Sequence, residues 1–230
     1  MLKLQELTVI YPDKTKAVDN VSFTLGESES IALIGENGAG KTSLLLAIVG
    51  VFEAASGTIE ADGVQLTKKT VTEIRKQIGL VFQIPDDQLF MPLIYDDIAF
   101  GCRNFGLPED EAQKRIDDTL ARLNIGHLCK RSSLKLSAGE KRMAAIAAVL
   151  AMNPVVLMLD EPTAFLDPKA KRTLVETLNK LPQSKIVATH DMEFAAEVCN
   201  RVIVLRNGRI MADGALSLLN DKKYLQDCGL

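Results

Sequence analysis

Residues Gly35 to Thr42 read G-E-N-G-A-G-K-T, a G-x-x-x-x-G-K-T spacing whose residue types suit one kind of chemistry, the holding of a polyphosphate. Gly35, Gly38 and Gly40 let the backbone curl so that successive N–H groups point inward, which a Cβ there would tend to prevent. Asn37 and Ala39 complete the loop, and Lys41, Thr42 and Ser43 open a helix whose N-terminus favours an anion. Lys41 is spaced to reach the β- and γ-phosphates, and the Thr42 hydroxyl to ligate Mg²⁺. An ordinary glycine-rich strand-to-helix turn is the competing explanation, and the full spacing in strand-then-helix context weighs against it.

Three further places could share that chemistry. Val155 to Leu159 is a continuous apolar run that delivers Asp160 and Glu161, two adjacent acids that are costly there unless something uses them. Asp160 suits a role in holding Mg²⁺ beside Thr42, and Glu161 suits taking the proton of an attacking water. Gln83 follows the apolar run Ile78 to Phe82; its amide can accept from a metal-bound water and donate to a phosphate, although a surface amide opening a loop explains it equally well. His190 follows Ile186 to Thr189, where it could bridge a terminal phosphate and a water. Gly35, Gln83, Asp160, Glu161 and His190 thus all stand at the carboxyl ends of apolar strands, where ligands sit in open parallel sheets. His127 has no such context and reads as structural.

The elements that must position these residues follow from periodicity. Leu2 to Tyr11 and Val18 to Leu25 read as a strand pair, with Tyr11 at the end of the first, where its ring could stack on a base or be half-buried packing. Ile31 to Ile34 reads as a buried strand, Leu44 to Val49 continues the helix, and Gly57 to Ala61 leads into an Asp62-Gly63 turn. Helices are expected over Tyr95 to Phe105 and from Pro108 to Leu123, the second with Pro108 in its first turn and Ala112, Ile116, Leu120 and Leu123 on one face. Leu136-Ser137-Ala138-Gly139-Glu140 precedes the apolar run Met143 to Met152, expected as a buried helix. Ser137 as N-cap with Glu140 three residues on explains this as a capping box without any function, leaving the small pair Ala138 and Gly139 unaccounted for. Arg201 to Leu205, the Asn207-Gly208 turn and Arg209 to Met211 read as a hairpin, followed by a weakly helical tail to Leu230.

Composition bounds the reading. A chain of 230 residues can bury a full core as one α/β domain. With 27 Lys+Arg against 30 Asp+Glu, the net charge of −3 carries no footprint for general nucleic-acid binding. Met143 to Met152 is about half the length of a bilayer span, and Met1 to Ile10 shows no signal-peptide pattern, so a soluble chain is expected. Cys102, Cys129, Cys199 and Cys228 are scattered without a C-x-x-C pair, which suits reduced cytosolic thiols rather than a bound metal.

Taken together, these residues resemble the ATPase subunit of ABC transporters over essentially the whole chain. By that resemblance Tyr11 matches the adenine-stacking aromatic, Gly35 to Thr42 the Walker A loop, Gln83 the Q-loop glutamine and Leu136 to Glu140 the signature motif. Asp160 and Glu161 match the Walker B aspartate and general base, Asp167 the D-loop aspartate and His190 the switch histidine. Phe82 to Phe90 with Ala99-Phe100-Gly101 looks like the cobalt/nickel and energy-coupling-factor vitamin importers, although Ile84 stands where that subfamily usually has Asn. Ala138, Glu140 and Phe165 also depart from the family pattern. The resemblance implies a P-loop NTPase fold of the ABC ATPase type. It has a RecA-like parallel core, an N-terminal antiparallel β subdomain, and a helical subdomain inserted at about residues 84–152 of a single domain spanning 1–230. It further implies ATP and Mg²⁺ as ligands: Thr42, Gln83 and Asp160 around the metal, and Ser137, Gly139 and Glu140 acting on nucleotide held by a second ATPase subunit, in a homodimer or heterodimer. Glu161, His190 and Gln83 would carry the hydrolysis. The implied function is to energise a membrane importer for cobalt, nickel or a vitamin, docked on membrane-embedded subunits at the cytoplasmic face. A soluble ABC-type ATPase of DNA repair or translation is the alternative, disfavoured by a lone cassette without sustained heptads.

Overall fold

The computed structural model describes residues 1–220, so Cys228 and most of the tail expected to be helical lie outside the described residues. The chain divides into two units, the first made of residues 1–80, 155–161 and 182 onward, the second of 81–154 and 162–181.

In the first unit, β1 (Leu2–Ile10) and β2 (Lys16–Leu25) pair antiparallel in a sheet of order β2-β1-β4-β5, with β4 (Ser56–Ala61) and β5 (Val64–Gln65) on its far side. Between them in the chain come β3 (Ser30–Ile34) and α1 (Lys41–Ile48). A second, six-stranded sheet has the order β10-β9-β3-β8-β7-β6, from β6 (Ile78–Val81), β7 (Val156–Asp160), β8 (Ser184–Thr189), β9 (Arg201–Arg206) and β10 (Arg209–Ala215). β9, β3, β8 and β7 run parallel, and β10 turns back antiparallel at Asn207-Gly208. Every residue of β3, β7 and β8 is buried, as expected for parallel strands covered on both faces. One apolar core joins both sheets: Leu4, Leu7 and Val21 of the first meet Leu33, Met158 and Ile203 of the second, with Leu44, Leu45 and Ile48 of α1 among them. Such burial stabilises by about 1.5–3 kcal/mol per large apolar side chain, which holds the loop before α1 against a rigid base.

The segment between β5 and β6 holds a helix that periodicity did not reveal, α2 (Val71–Gln77), short and with Ile74 as its one buried residue. Its Arg75 Nε donates to the Val49 carbonyl at 2.8 Å and Nη2 to Gly50 at 3.3 Å, closing the C-terminus of α1.

The second unit is helical: α3 (Ile94–Asn104), α4 (Glu109–Leu123), α5 (Ala138–Leu150) and α6 (Pro168–Lys180), followed in the chain by α7 (Met192–Val198) of the first unit. Pro108 is the N-cap of α4 rather than part of its first turn, and Asn124 ends that helix in the left-handed region at φ 54°. α6 belongs to this unit although the chain returns to the first unit at Val155–Glu161 before it. Among the described residues, no helix is long and apolar enough to cross a membrane.

Candidate functional site

In the first unit, the parallel order β3-β8-β7 brings Gly35, His190 and Glu161 to one edge of the sheet, because each follows the last residue of its strand. Gly38 and Gly40 have φ of 84° and 102°, open to glycine without strain, and a Cβ on Gly35 or Gly40 would collide with the backbone carbonyl of Leu205 or Ala17. Glycine at these positions thus lets this cradle loop lie directly against the backbone of Leu205 and Ala17. Asn37 and Thr42 are exposed, whereas Ala39, Lys41 and Ser43 are buried.

Lys41 does not reach out freely. Its Nζ donates to the Gly35 carbonyl at 2.7 Å and the Glu36 carbonyl at 3.2 Å, and lies 3.4 Å from Glu161 Oε1, with both side chains under a tenth exposed. The other oxygen of Glu161 draws the opposite wall together: Oε2 accepts from Thr189 Oγ1 at 3.3 Å and from the His190 backbone N–H at 3.4 Å, and His190 Nδ1 lies 2.9 Å away. The Glu161 backbone is held at φ 41°, a left-handed conformation costing about 1–3 kcal/mol in a non-glycine residue, while its N–H still donates to Ala188 O at 2.8 Å. The Glu161 carboxylate thereby meets the residues that end β8. The His190 ring itself stays mostly exposed.

Thr42 Oγ1 donates to Asp160 Oδ2 at 2.7 Å, so a hydroxyl and a carboxylate of metal-ligand type converge beside the cradle. Among the described residues no group of three or more His, Cys, Asp and Glu could hold a metal by itself. The Thr42-Asp160 pair fits an ion whose remaining ligands are phosphate oxygens and waters, the usual habit of Mg²⁺. Tyr11 is half-buried; its hydroxyl shares a 2.6 Å hydrogen bond with Ser43 Oγ, and its ring meets Phe52 edge-on at 5.2 Å.

The remaining residues singled out in the sequence lie in the second unit. Gln83 has an exposed side chain, and its carbonyl accepts from Arg142. Ser137 caps α5 in a full capping box: its Oγ accepts from Glu140 N at 3.3 Å and its N–H donates to Glu140 Oε2 at 2.8 Å. Glu140 also pairs with Arg131 at 2.8 Å. The Ser137 N–H and hydroxyl, with Arg131, hold the Glu140 carboxyl below the usual range. A Cβ on Gly139 would press on Ala170 Cβ at 2.8 Å, so glycine there allows α5 and α6 to approach. Asp167 caps α6, accepting from Ala170 N at 2.8 Å, and exposed Phe165 precedes it at φ 66°.

Two participants escaped the sequence reading. Thr189 looked like one more buried strand residue, yet its hydroxyl binds Glu161 and accepts from Asp191 N at 3.0 Å. Arg142 was given no role in the sequence reading, yet its charged side chain is 1% exposed. Its position next to an apolar helical run was the available signal.

Comparison with known proteins agrees with this geometry. A family model described as ABC transporter matches residues 18–164. The energy-coupling factor transporter ATP-binding protein EcfA of Carboxydothermus hydrogenoformans is 41% identical over 100% of this chain and 86% of its own length. The cobalt import ATP-binding protein CbiO of Rhodobacter capsulatus is 40% identical over 100% of this chain and 84% of its own. Among solved structures, CbiO1 of Clostridium perfringens, part of the transporter complex CbiONQ, superposes with a TM-score of 0.85 at 39% identity, covering 97% of this chain and 92% of that one. The ATP-binding cassette MJ0796, seen as a dimer bound to ADP and phosphate, superposes with a TM-score of 0.83 at 26% identity, covering 94% and 99%. The parallel core, antiparallel β-sheet and helical unit are those of an ABC ATPase cassette, and the chain belongs to the ABC transporter family of ATP-binding proteins.

Proposed function

We propose that this chain is the ATP-hydrolysing subunit of a membrane importer of the energy-coupling-factor or cobalt/nickel type, working as a homodimer or heterodimer at the cytoplasmic face of the membrane. The observation that carries the proposal is the convergence at one sheet edge of the glycine cradle, the Lys41-Glu161 pair and the Thr42-Asp160 pair. The backbone N–H groups of Gly38 to Thr42 bind the phosphates, and Lys41 moves from Glu161 to the terminal phosphates as they arrive. Thr42 and Asp160, with Gln83, would hold Mg²⁺, which when bound would neutralise charge on the phosphates and polarise them toward attack. Glu161, released from Lys41, takes the proton of the attacking water, and His190 holds that water against the terminal phosphate. Ser137, Gly139 and Glu140 act on nucleotide held by the partner subunit, and Tyr11 supports the adenine end. The relatives named as ATP-binding components of cobalt and energy-coupling-factor transporters support the importer reading, and the first of these names supports cobalt among the proposed cargoes of cobalt, nickel or a vitamin. The dimeric cassette among the solved structures supports the two-subunit site. The helical unit is read as an insertion in a single nucleotide-binding domain. It carries exposed Phe90 and Phe100, edge-on at 5.2 Å, near exposed Ile84 and Leu93 in the chain, an apolar surface suited to a membrane subunit.

The test is to purify the tagged full chain from native membranes with its partners. Membrane subunits that copurify, Mg-dependent ATPase activity and a bound metal ion or vitamin are expected. A chain that hydrolyses ATP but brings down only soluble repair or translation factors would overturn the importer reading.

A further inference from the structure

Helix α5 carries the Ser137-Gly139 segment at its N-terminus, and one turn later it grips the segment that follows β6. Arg142, 1% exposed, donates through Nη1 to the Phe82 carbonyl at 2.6 Å and through Nη2 to the Gln83 carbonyl at 2.7 Å. A guanidinium is planar and always charged, so two donors on one fork fix two consecutive carbonyls relative to each other as well as to the helix. Gln88 adds a second strut: its Oε1 accepts from Phe82 N at 3.2 Å and its Nε2 donates to Ala145 O at 2.8 Å. Lys141 adds a third, with Nζ 2.6 Å and 2.9 Å from the two carboxylate oxygens of Asp86. Three side chains thus connect α5 to residues 82–88, and the backbone of Phe82 is held at both its N–H and its carbonyl. The Gln83 side chain is exposed, so its position is set through its own carbonyl and that of Phe82.

We infer that Arg142 is a positioning residue for Gln83, transmitting the placement of the signature end of α5 to the glutamine amide through the Phe82 and Gln83 carbonyls. This rests on the reading of Gln83 as a ligand of metal and water in ATP hydrolysis. A segment held by a buried bidentate contact moves with the helix that holds it. A shift of the Ser137-Gly139 end, as when a partner's nucleotide docks there, therefore carries Gln83 with it. The surface pair Lys141-Asp86 alone could not do this, because an exposed ion pair contributes about 1 kcal/mol or less and tolerates many geometries.

The test compares Arg142→Met, Gln83→Ala and the double variant in the full chain, with Arg142→Lys as the conservative replacement. Arg142→Met keeps the stem and removes the donors. It should lower kcat about 10- to 100-fold, the range expected when a reacting group is displaced by about 1 Å, with KM for Mg-ATP within about two-fold of the parent. Arg142→Lys should recover part of kcat, since an ammonium still donates to one carbonyl. The double variant should be no slower than Gln83→Ala alone, because the arginine has nothing left to position. Hydrogen exchange in the nucleotide-free chain is a readout independent of turnover: amides of residues 83–88 should exchange faster in Arg142→Met, while those of α1 do not change. Should Arg142→Met fail to fold, the same comparison is made with Arg142→Lys. Losses that multiply in the double variant, an effect on KM alone, or unchanged exchange at 83–88 would overturn the inference while leaving Gln83 in its role. Normal turnover by Gln83→Ala would overturn both.

Discussion

Glu161→Gln separates catalysis from binding, because the change keeps the volume and one acceptor oxygen while removing the charge. A general base contributes about 10²- to 10⁴-fold, or roughly 3–5 kcal/mol at about 1.4 kcal/mol per decade, so turnover should fall by that factor. The structure adds a second, less obvious consequence. Lys41 and Glu161 are both buried and 3.4 Å apart, and removing one member of such a pair costs up to about 3–5 kcal/mol. Here the cost should stay near about 3 kcal/mol, since Lys41 keeps the Gly35 and Glu36 carbonyls. At roughly 2–4 °C per kcal/mol for a chain of this size, the nucleotide-free variant should melt about 6–12 °C lower. Saturating Mg-ATP supplies the missing negative partner to Lys41. It should therefore raise the melting temperature of Glu161→Gln more than that of the parent, and nucleotide affinity should hold or increase. Differential scanning fluorimetry with and without Mg-ATP, beside a phosphate-release assay and size-exclusion chromatography for a lasting ATP-bound dimer, measures all of this. Turnover within a few-fold of the parent refutes the general-base assignment; equal melting without nucleotide refutes the partner exchange.

Lys41→Ala should reduce Mg-ATP affinity at least ten-fold by equilibrium titration, on the order of the 1.5–3 kcal/mol of a charged hydrogen bond. It should also destabilise the nucleotide-free chain, because Glu161 loses its buried cation; unchanged affinity would mean that the cradle is misread. Ser137→Arg should abolish turnover in the assembled transporter while sparing ATP binding by the single subunit, at a cost of about 1 kcal/mol from the lost cap of α5, and normal turnover would reduce this segment to a helix start. Ala138→Gly, in the same complex, should keep or raise activity. Asp97 is buried, accepting from Phe90 N and Met91 N at 2.9 Å each while its other oxygen has no hydrogen-bond partner among the described residues, and burial pushes its carboxyl above the ordinary range. The folded chain then holds that proton more tightly than the unfolded one. The resulting stability is present below the ordinary aspartate range and is lost as pH rises through the raised folded value. Asp97→Asn keeps the acceptor without the charge, so denaturant titrations should show wild type losing stability relative to the variant between about pH 4 and neutrality, and a flat or opposite difference sinks the argument.

Local chemistry was legible in the chain itself. The G-x-x-x-x-G-K-T spacing is contiguous, so cradle and helix start can be read without knowing what surrounds them. Apolar runs marked β3, β7 and β8, and whatever follows such a run necessarily stands at a strand end. The capping box at Ser137-Glu140 was readable for the same reason, as its contacts span three residues. α2 and α6 were not, being short or largely polar with narrow buried stripes at Ile74 and at Leu174, Val175 and Leu178. Only the tertiary structure decided which strand ends meet. The order β3-β8-β7 places residues separated by well over a hundred positions side by side, and nothing in any one strand specifies its neighbour. From that order follow the pairing of Lys41 with Glu161, of Thr42 with Asp160, and of Thr189 with the carboxylate next door. Burial of charge was equally invisible: Arg142 and Asp97 have the composition of surface residues, and the packing around them makes one a clamp and pushes the other's carboxyl above the ordinary range.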